Sequence, residues 1–380
     1  MKYLNMFFLM TLLLLWLGES LAAPILVPSP PKIKAEGFLL IDFNSGRVLA
    51  EKNADTRMEP ASLTKMLSSY VVAYELREGN IKFEDMVTIS KKAWKMPGSR
   101  MFAEVGKKIE VQELLKGVII QSGNDATVAL AEFVAGSEEA FASLMNQHAQ
   151  ELGMISSNFV NSTGLPHKDH YTTPRDMATI AKALIRDFPE HYKWYSQKEF
   201  RFNGIKQYNR NKLLWRDKYV DGVKTGHTES AGFCLVASAQ RDGMRLISVL
   251  LGAKSEDARA NESQKLLGYG FRFYESHQLY AADVPLTEVP VWKGEKEMIS
   301  LGLKQDLYVT VPRGQYKNLD ASMRISSKII APTVKGQELG MVSVKLGDLE
   351  FTERKLVALE SIESGSLWNN FLDEVKLLFE

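Results

Sequence analysis

Apolar positions recur with two periods along this chain, close to 3.6 in a long central block and close to 2 on either side of it. Phe38 to Phe43 and Arg47 to Lys52, joined by Asn44-Ser45-Gly46, read as a β-hairpin. Leu63, Leu67, Tyr70, Val71 and Tyr74 then share one face of a helix from about Ala61 to Glu78, with Gly79 as its stop. Val111 to Leu152 is mostly helical in pattern, interrupted at Ser122-Gly123-Asn124 and again at Gly136. Thr173, Pro174 and Asp176 open a further helix, continued by Met177, Ile180, Ala181, Leu184 and Ile185. Strand-like runs return at Phe233–Ala239 and Leu246–Leu251, followed by an amphipathic helix over about Asn261 to Tyr274. A helical block flanked in this way requires a sheet whose first and last strands lie close together.

The pattern changes near Val284-Pro285. From Val289 to Ile362 the runs are short and alternating, as in Leu307 to Val311 and Met341 to Leu346, with turns at Pro312-Arg313-Gly314 and Gly347-Asp348. That is the pattern of a small all-β domain. Beyond the linker Glu363-Ser364-Gly365-Ser366, a stripe of Leu367, Phe371, Val375 and Leu378 is flanked by Trp368, Leu372 and Phe379. Its Trp and Phe content suits a membrane interface. Glu363, Asp373, Glu374 and Glu380 against Lys376 leave out the usual basic attraction to anionic lipid, and a partner-binding or plainly packed helix is the rival reading. At the other end, Lys2, the apolar run Met6 to Leu17, and Ser20 and Ala22 read as a secretory signal cleaved after Ala22. A permanent span needs about 20 apolar residues, so the run is short for an anchor. Pro24, Pro28, Pro30 and Pro31 follow as a semi-rigid spacer. The expected organisation is a signal over 1–22, a Pro-rich linker over 23–35, a main domain over 36–285, a β-rich domain over 286–362 and an amphipathic helix over 363–380.

Composition narrows the function. With 47 Lys and Arg against 46 Asp and Glu, the chain carries no broad basic field, and nucleic acid is not an expected partner. The single cysteine, Cys234, excludes an internal disulfide framework and any multi-Cys metal site, and its apolar neighbours read as core. His167 and His170 lie in a polar loop with no third ligand clustered beside them, so neither a metal nor another cofactor is expected.

Three short motifs carry the candidate chemistry. Ser62-Leu63-Thr64-Lys65 begins the first helix, where residues three apart share a face. Serine is a weak nucleophile without a base, and a lysine acts as one only if burial or a neighbouring cation lowers its pKa. Ser122-Gly123-Asn124 lies between helices, its hydroxyl placed to relay a proton and its amide to hold Lys65 or a substrate carbonyl. Lys224-Thr225-Gly226, followed by His227, enters the strand that continues through Phe233 to Ala239. There Gly226 admits an extended peptide against the strand edge, Lys224 is a fixed cation and Thr225 a hydroxyl for a carboxylate. Singly the first two are weak, since Ser29-Pro30-Pro31-Lys32 and Ser156-Ser157-Asn158 have the same forms. Together, in this order, the trio is that of penicillin-binding proteins and class A β-lactamases.

The chain resembles the D-alanyl-D-alanine carboxypeptidases among the low-molecular-mass penicillin-binding proteins. The resemblance covers nearly its whole length, including Gln121 to Ala126, Asn209-Arg210-Asn211, Asp221 to Thr228, Leu251-Gly252-Ala253 and Arg259 with Glu262-Ser263. It implies an α+β transpeptidase/β-lactamase-like domain (an antiparallel sheet with a helical cluster), a β-rich second domain and a C-terminal membrane-surface helix. It further implies a periplasmic enzyme on the outer face of the inner membrane that cleaves the terminal D-alanine from peptidoglycan pentapeptide stems. By matching position, Ser62 would be acylated with Lys65 as its base, and Ser122, Asn124 and Lys224 would complete the polar network. The backbone N–H groups of Ser62 and His227 would form the oxyanion hole beside Gly226. Thr225 and Arg259 would hold the terminal carboxylate, with Arg210 near the cleft.

Two enzyme rivals share the motifs. A class A β-lactamase needs a glutamate for its deacylating water, and no Glu lies between Glu151 and Glu190. β-Lactams are therefore expected as covalent inhibitors, not substrates. A D,D-endopeptidase is poorly separated by sequence. A non-catalytic envelope binding protein is disfavoured by the intact nucleophile and base.

Overall fold

The computed structural model describes residues 27–366 together with Asp373. The expected signal and the stripe from Leu367 onward, Asp373 apart, lie outside the described residues.

The main domain is built on a five-stranded antiparallel sheet. β1 (Gly37–Asp42) and β2 (Val48–Lys52) form the expected hairpin, while β3 (Val220–Thr228), β4 (Gly232–Arg241) and β5 (Met244–Ala253) come from much later in the chain. The order β2-β1-β5-β4-β3 sets Leu39 opposite Val249, so the earliest and latest strands do pair. Alternation divides β1 between two cores. Leu39 and Ile41 face the helical block formed by α1 (Lys65–Arg77), α2 (Asn124–Ala135), α3 (Glu138–Glu151) and α4 (Pro174–Asp187). Phe38 and Leu40 face α5 (Glu256–Phe273) and pack with Leu266 and Leu267. Cys234 is buried in the sheet, and burial pushes its thiol up to about 11.

Two elements depart from the pattern. Lys224-Thr225-Gly226 does not enter the strand through Phe233 but lies inside β3, a separate edge strand. β3 turns back through Glu229–Ala231 to Gly232 (φ +63°) and pairs antiparallel with β4. Asp221, Gly222 and Lys224 break the alternation that marks a strand. The last helix of the domain starts at Glu256, not near Asn261, because the Ser255 hydroxyl accepts from the Ala258 N–H and two acids fill the first turn. That polar turn carries no apolar period, and it places Arg259 within the helix.

The β-rich domain is joined at two places. β6 (Tyr274–Tyr280) leaves α5 directly and pairs with β9 (Leu307–Pro312), so this contact begins ahead of the compositional change at Val284. β7 (Thr287–Pro290), β8 (Met298–Gly302), β10 (Leu319–Ile325), β11 (Glu338–Leu346) and β12 (Leu349–Ala358) form a second sheet in the order β7-β8-β12-β11-β10. The β1–β2 turn docks onto this domain: Ser45 Oγ lies 2.6 Å from Thr310 Oγ1, and the Arg47 guanidinium donates to the Thr310 carbonyl. Among the described residues no helix is long and apolar enough to cross a membrane.

Between α3 and α4 the chain passes beneath the start of α1. Gly164 (φ +85°) presses on Ala61, and a Cβ there would lie 1.8 Å from the Ala61 carbonyl oxygen. Gly164→Ala therefore combines a clash with an unfavourable backbone. A loss of about 1–3 kcal/mol is expected, read as a lowered Tm in thermal denaturation; an unchanged Tm would contradict this packing.

Candidate active site

Ala61–Thr64 forms one 3-10 turn that runs into α1. In that geometry residues i and i+3 eclipse, which stacks Lys65 over Ser62. The Lys65 amine donates to Ser62 Oγ at 3.1 Å and to the Thr163 carbonyl at 2.6 Å. A π-helical turn, Gly117–Gln121, ends at Ser122, whose φ of +64° is uncommon for a residue with a Cβ. This conformation aims Ser122 at β3, where its Oγ accepts from the Lys224 amine at 2.8 Å. Lys224 also donates to the Thr225 carbonyl at 3.0 Å.

The three motifs thus meet at one cleft of about 520 Å³, whose walls include Ser62, Ser122, Asn124, Arg210, Thr225, Gly226, His227 and Arg259. Lys65 and Lys224 are buried beneath it. Gly226 is required by close approach, since a Cβ there would meet Pro60 O at 3.0 Å and Ser62 N at 3.2 Å. As β3 is the edge of its sheet, it offers a row of backbone groups to an extended peptide. Arg259 is buried and donates to the Gly226 carbonyl at 3.0 Å and to Glu256 at 3.1 Å. Arg210 reaches the cleft between two buried amides: Asn209 donates to the Gln197 carbonyl and Asn211 to the Gly222 carbonyl. The His227 ring stacks on Phe233 with centroids 4.0 Å apart. The Asn124 amide nitrogen donates to Pro97 O at 2.6 Å and makes no bond to Lys65, while its Oδ1 is buried without a partner.

Electrostatics suits the lysine to a base. Burial lowers Lys65 to about 7, helped by the nearby Arg210 and opposed by Asp125 and Glu138. Lys224 is held well below its ordinary range by burial, then by Lys65, Arg210 and Arg259. Among the described residues neither amine lies in an ion pair, so nothing anionic in direct contact holds either one protonated.

Several members were invisible in sequence. The wall formed by Thr163, Gly164 and Leu165 and the opposite wall at Gly98 and Ser99 come from loops without a motif. The second is tied to α2 by the Asp125 carboxylate, which accepts from Met101 N and Ala103 N. His170, expected in a polar loop, is buried. Its Nδ1 accepts from Val160 N, so the neutral ring donates from Nε2 to Thr64 Oγ1, which in turn donates to Ala61 O. Burial, then His167 and Lys65, push this ring down to about 4. No group of three or more His, Cys, Asp or Glu suited to a metal occurs among the described residues.

The arrangement offers a hydroxyl beside an amine that is half neutral near pH 7, a second serine–lysine pair, an open strand edge and a buried arginine. The wall at 163–165 brings no carboxylate. The acid in the lining, Glu256, is engaged by Arg259 and Lys212, each at 3.1 Å.

Known proteins share the sequence and fold of this chain. Residues 25–255 match the family described as D-alanyl-D-alanine carboxypeptidase, and residues 274–364 match the C-terminal domain of penicillin-binding protein 5. The chain is 44% identical to the D-alanyl-D-alanine carboxypeptidase DacA of Escherichia coli over 370 residues, covering 95% of this chain and 92% of that one. A crystal structure of penicillin binding protein 5 from Haemophilus influenzae superposes with a TM-score of 0.86 at 42% identity, covering 89% of this chain and all (100%) of that one. Penicillin-binding protein D2 of Listeria monocytogenes, solved in its ampicillin-bound form, superposes with a TM-score of 0.60 at 27% identity over 64% of this chain and 100% of that one. The chain belongs to the D-alanyl-D-alanine carboxypeptidase family.

Proposed function

We propose that the protein is a serine-type D-Ala-D-Ala carboxypeptidase that removes the terminal D-alanine from peptidoglycan pentapeptide stems through an acyl-enzyme on Ser62. The observation that carries this reading is a buried lysine amine 3.1 Å from a serine hydroxyl, with no acid in contact to keep it protonated.

Ser62 Oγ attacks the carbonyl of the terminal peptide bond as Lys65 takes its proton, a transfer worth about 10²–10⁴ in rate. The oxyanion receives the backbone N–H groups of Ser62 and His227, and the loss of one such donor costs about 10²–10³. The C–N bond then breaks, and the proton that Lys65 took passes by way of the Ser122 hydroxyl, held by Lys224, to the nitrogen of the departing D-alanine, which leaves Lys65 neutral again. Thr225 and Arg259 hold the terminal carboxylate, the group that distinguishes this substrate. Arg210 adds positive charge to the cleft, and Asn124 Oδ1 is free to accept from a stem amide. Water finally attacks the ester, gives its proton to Lys65 and restores the Ser62 hydroxyl.

A β-lactam would acylate the same serine. Because the opened ring stays tethered in the cleft where D-alanine would have departed, and no carboxylate on the wall at 163–165 activates water in place of Lys65, the adduct leaves slowly and the drug is an inhibitor, in line with the ampicillin-bound relative. In this reading residues 1–22 direct export to the periplasm, supported by the apolar run Met6 to Leu17, and residues 367–380 attach the protein to the outer face of the inner membrane, supported by the amphipathic stripe.

Incubation with a D-Ala-D-Ala-terminated peptide is expected to release free D-alanine. Ser62→Ala should abolish both release and labelling by a fluorescent penicillin, and Lys65→Ala should slow them by at least about 10²-fold. Cleavage of a crosslinked dimer peptide at an equal or higher rate would replace the reading with a D,D-endopeptidase.

The pH dependence follows from the sign of the Lys65 shift. The neutral amine is the base, and its fraction grows as pH rises through about 7. The second-order rate of penicillin labelling should therefore climb over that range and level off above it, whereas an unperturbed lysine would delay the rise to about pH 10. Removing residues 367–380 should release the protein from membranes, and unchanged fractionation would refute the anchor.

A further inference from the structure

The Thr163 carbonyl that receives the Lys65 amine is not held by its own loop alone. Its neighbour Ser162 is fully buried and is bonded from two helices. Ser68 of α1 donates to the Ser162 carbonyl at 2.6 Å. On the other side, Glu138 at the start of α3 accepts from Ser162 N at 3.2 Å and from Ser162 Oγ at 2.8 Å. Glu138 is itself buried, yet its second oxygen meets the half-exposed Lys92 at 3.0 Å. A continuous path therefore runs from a surface cation through a buried carboxylate and one peptide unit to the amine.

We propose that Glu138 is a positioning residue for Lys65: its carboxylate fixes the Ser162–Thr163 backbone that receives the amine and places a negative charge one residue from that carbonyl. The proposal rests on the role of Lys65 as base. A lysine acting on Ser62 has to be held in one rotamer without being locked as an ammonium. A carbonyl holds it without charge, and a carboxylate one residue away supplies a weaker, indirect field. The other titratable or charged groups around Lys65 are Lys224 on β3, Arg210 ahead of β3, Asp125 on α2 and the neutral His170 ahead of α4. Asp125 is the other acid among them, and its oxygens are committed to the Met101 and Ala103 N–H groups. Glu138 is also flanked by Glu139, which shares Lys92.

The test is the pH profile of fluorescent-penicillin acylation on the full chain. Glu138→Gln keeps an acceptor for Ser162 and removes the charge, so the ammonium form of Lys65 is less favoured. The midpoint of the rise should move down by about half to one pH unit, the scale of one charge at several ångströms in a medium of effective dielectric about 20. Lys92→Met, at an exposed site, removes the cation from Glu138 and should move the midpoint up. Ser162→Ala retains the charge and loses a tether, and should slow the plateau several-fold with the midpoint in place. Superimposable profiles for wild type, Glu138→Gln and Lys92→Met would overturn the proposal. A fall in Tm without a change in midpoint would also overturn it, by reducing Glu138 to a structural role. A wild-type rate that is flat across this pH range would instead refute Lys65 as base, a distinct failure.

Discussion

Taking two lysine amines out of water beside one another, without a carboxylate on either, is the constraint around which the main domain is organised. Burying an ammonium is costly unless it is paired, and the ordinary remedies are an acid or a deprotonated amine. Here no acid among the described residues is in contact with either amine, and burial holds both below the ordinary lysine range. Lys65 and Lys224 each receive one hydroxyl and one carbonyl oxygen, acceptors that satisfy an amine in either protonation state. The cost falls on the fold, which has to bring a 3-10 turn, a left-handed serine, an edge strand and a motif-free loop to the same few ångströms. Their strained members, Ala61 and Ser122 at positive φ, cluster at the cleft.

Why the sheet pairs its earliest strand with its latest follows from this need. Ser62 sits in the 3-10 turn ahead of α1 and Lys224 on a strand 162 positions later, and pairing of β1 with β5 returns the chain to its start. Two separate cores on the faces of one sheet then hold the strands against the helices on one side and α5 on the other. Regular elements carry the motif residues, and loops supply the walls.

Much of this was legible in the residues themselves. The hairpin, the helical block with its interruption at Ser122 and the trio of motifs have strong local signatures, because capping residues, glycine stops and apolar periods act within a few positions. Arg259 was singled out by family resemblance, yet its helix begins earlier than its apolar period suggests, since Ser255 and two acids start it without a buried side chain. β3 reads in sequence as part of the following strand because an edge strand built of Asp221, Gly222, Lys224 and Gly226 has chemistry where alternation would be. Thr163 contributes a backbone carbonyl, and any residue has one. His170 and Glu138 act through partners far away in sequence, which no local period records.

The docking of the β1–β2 turn onto the second domain has a geometric consequence. A domain that hung from the chain at Tyr274 alone would be free to swing. Because Ser45 and Arg47 grip Thr310 from a different part of the main sheet, the two bodies share two points of attachment rather than a single pivot. β1 is at once the strand that touches β5 and the arm of that second attachment. Whatever surface the β-rich domain rests on, the cleft will look out from it at a set height and bearing, like an instrument clamped to a stand.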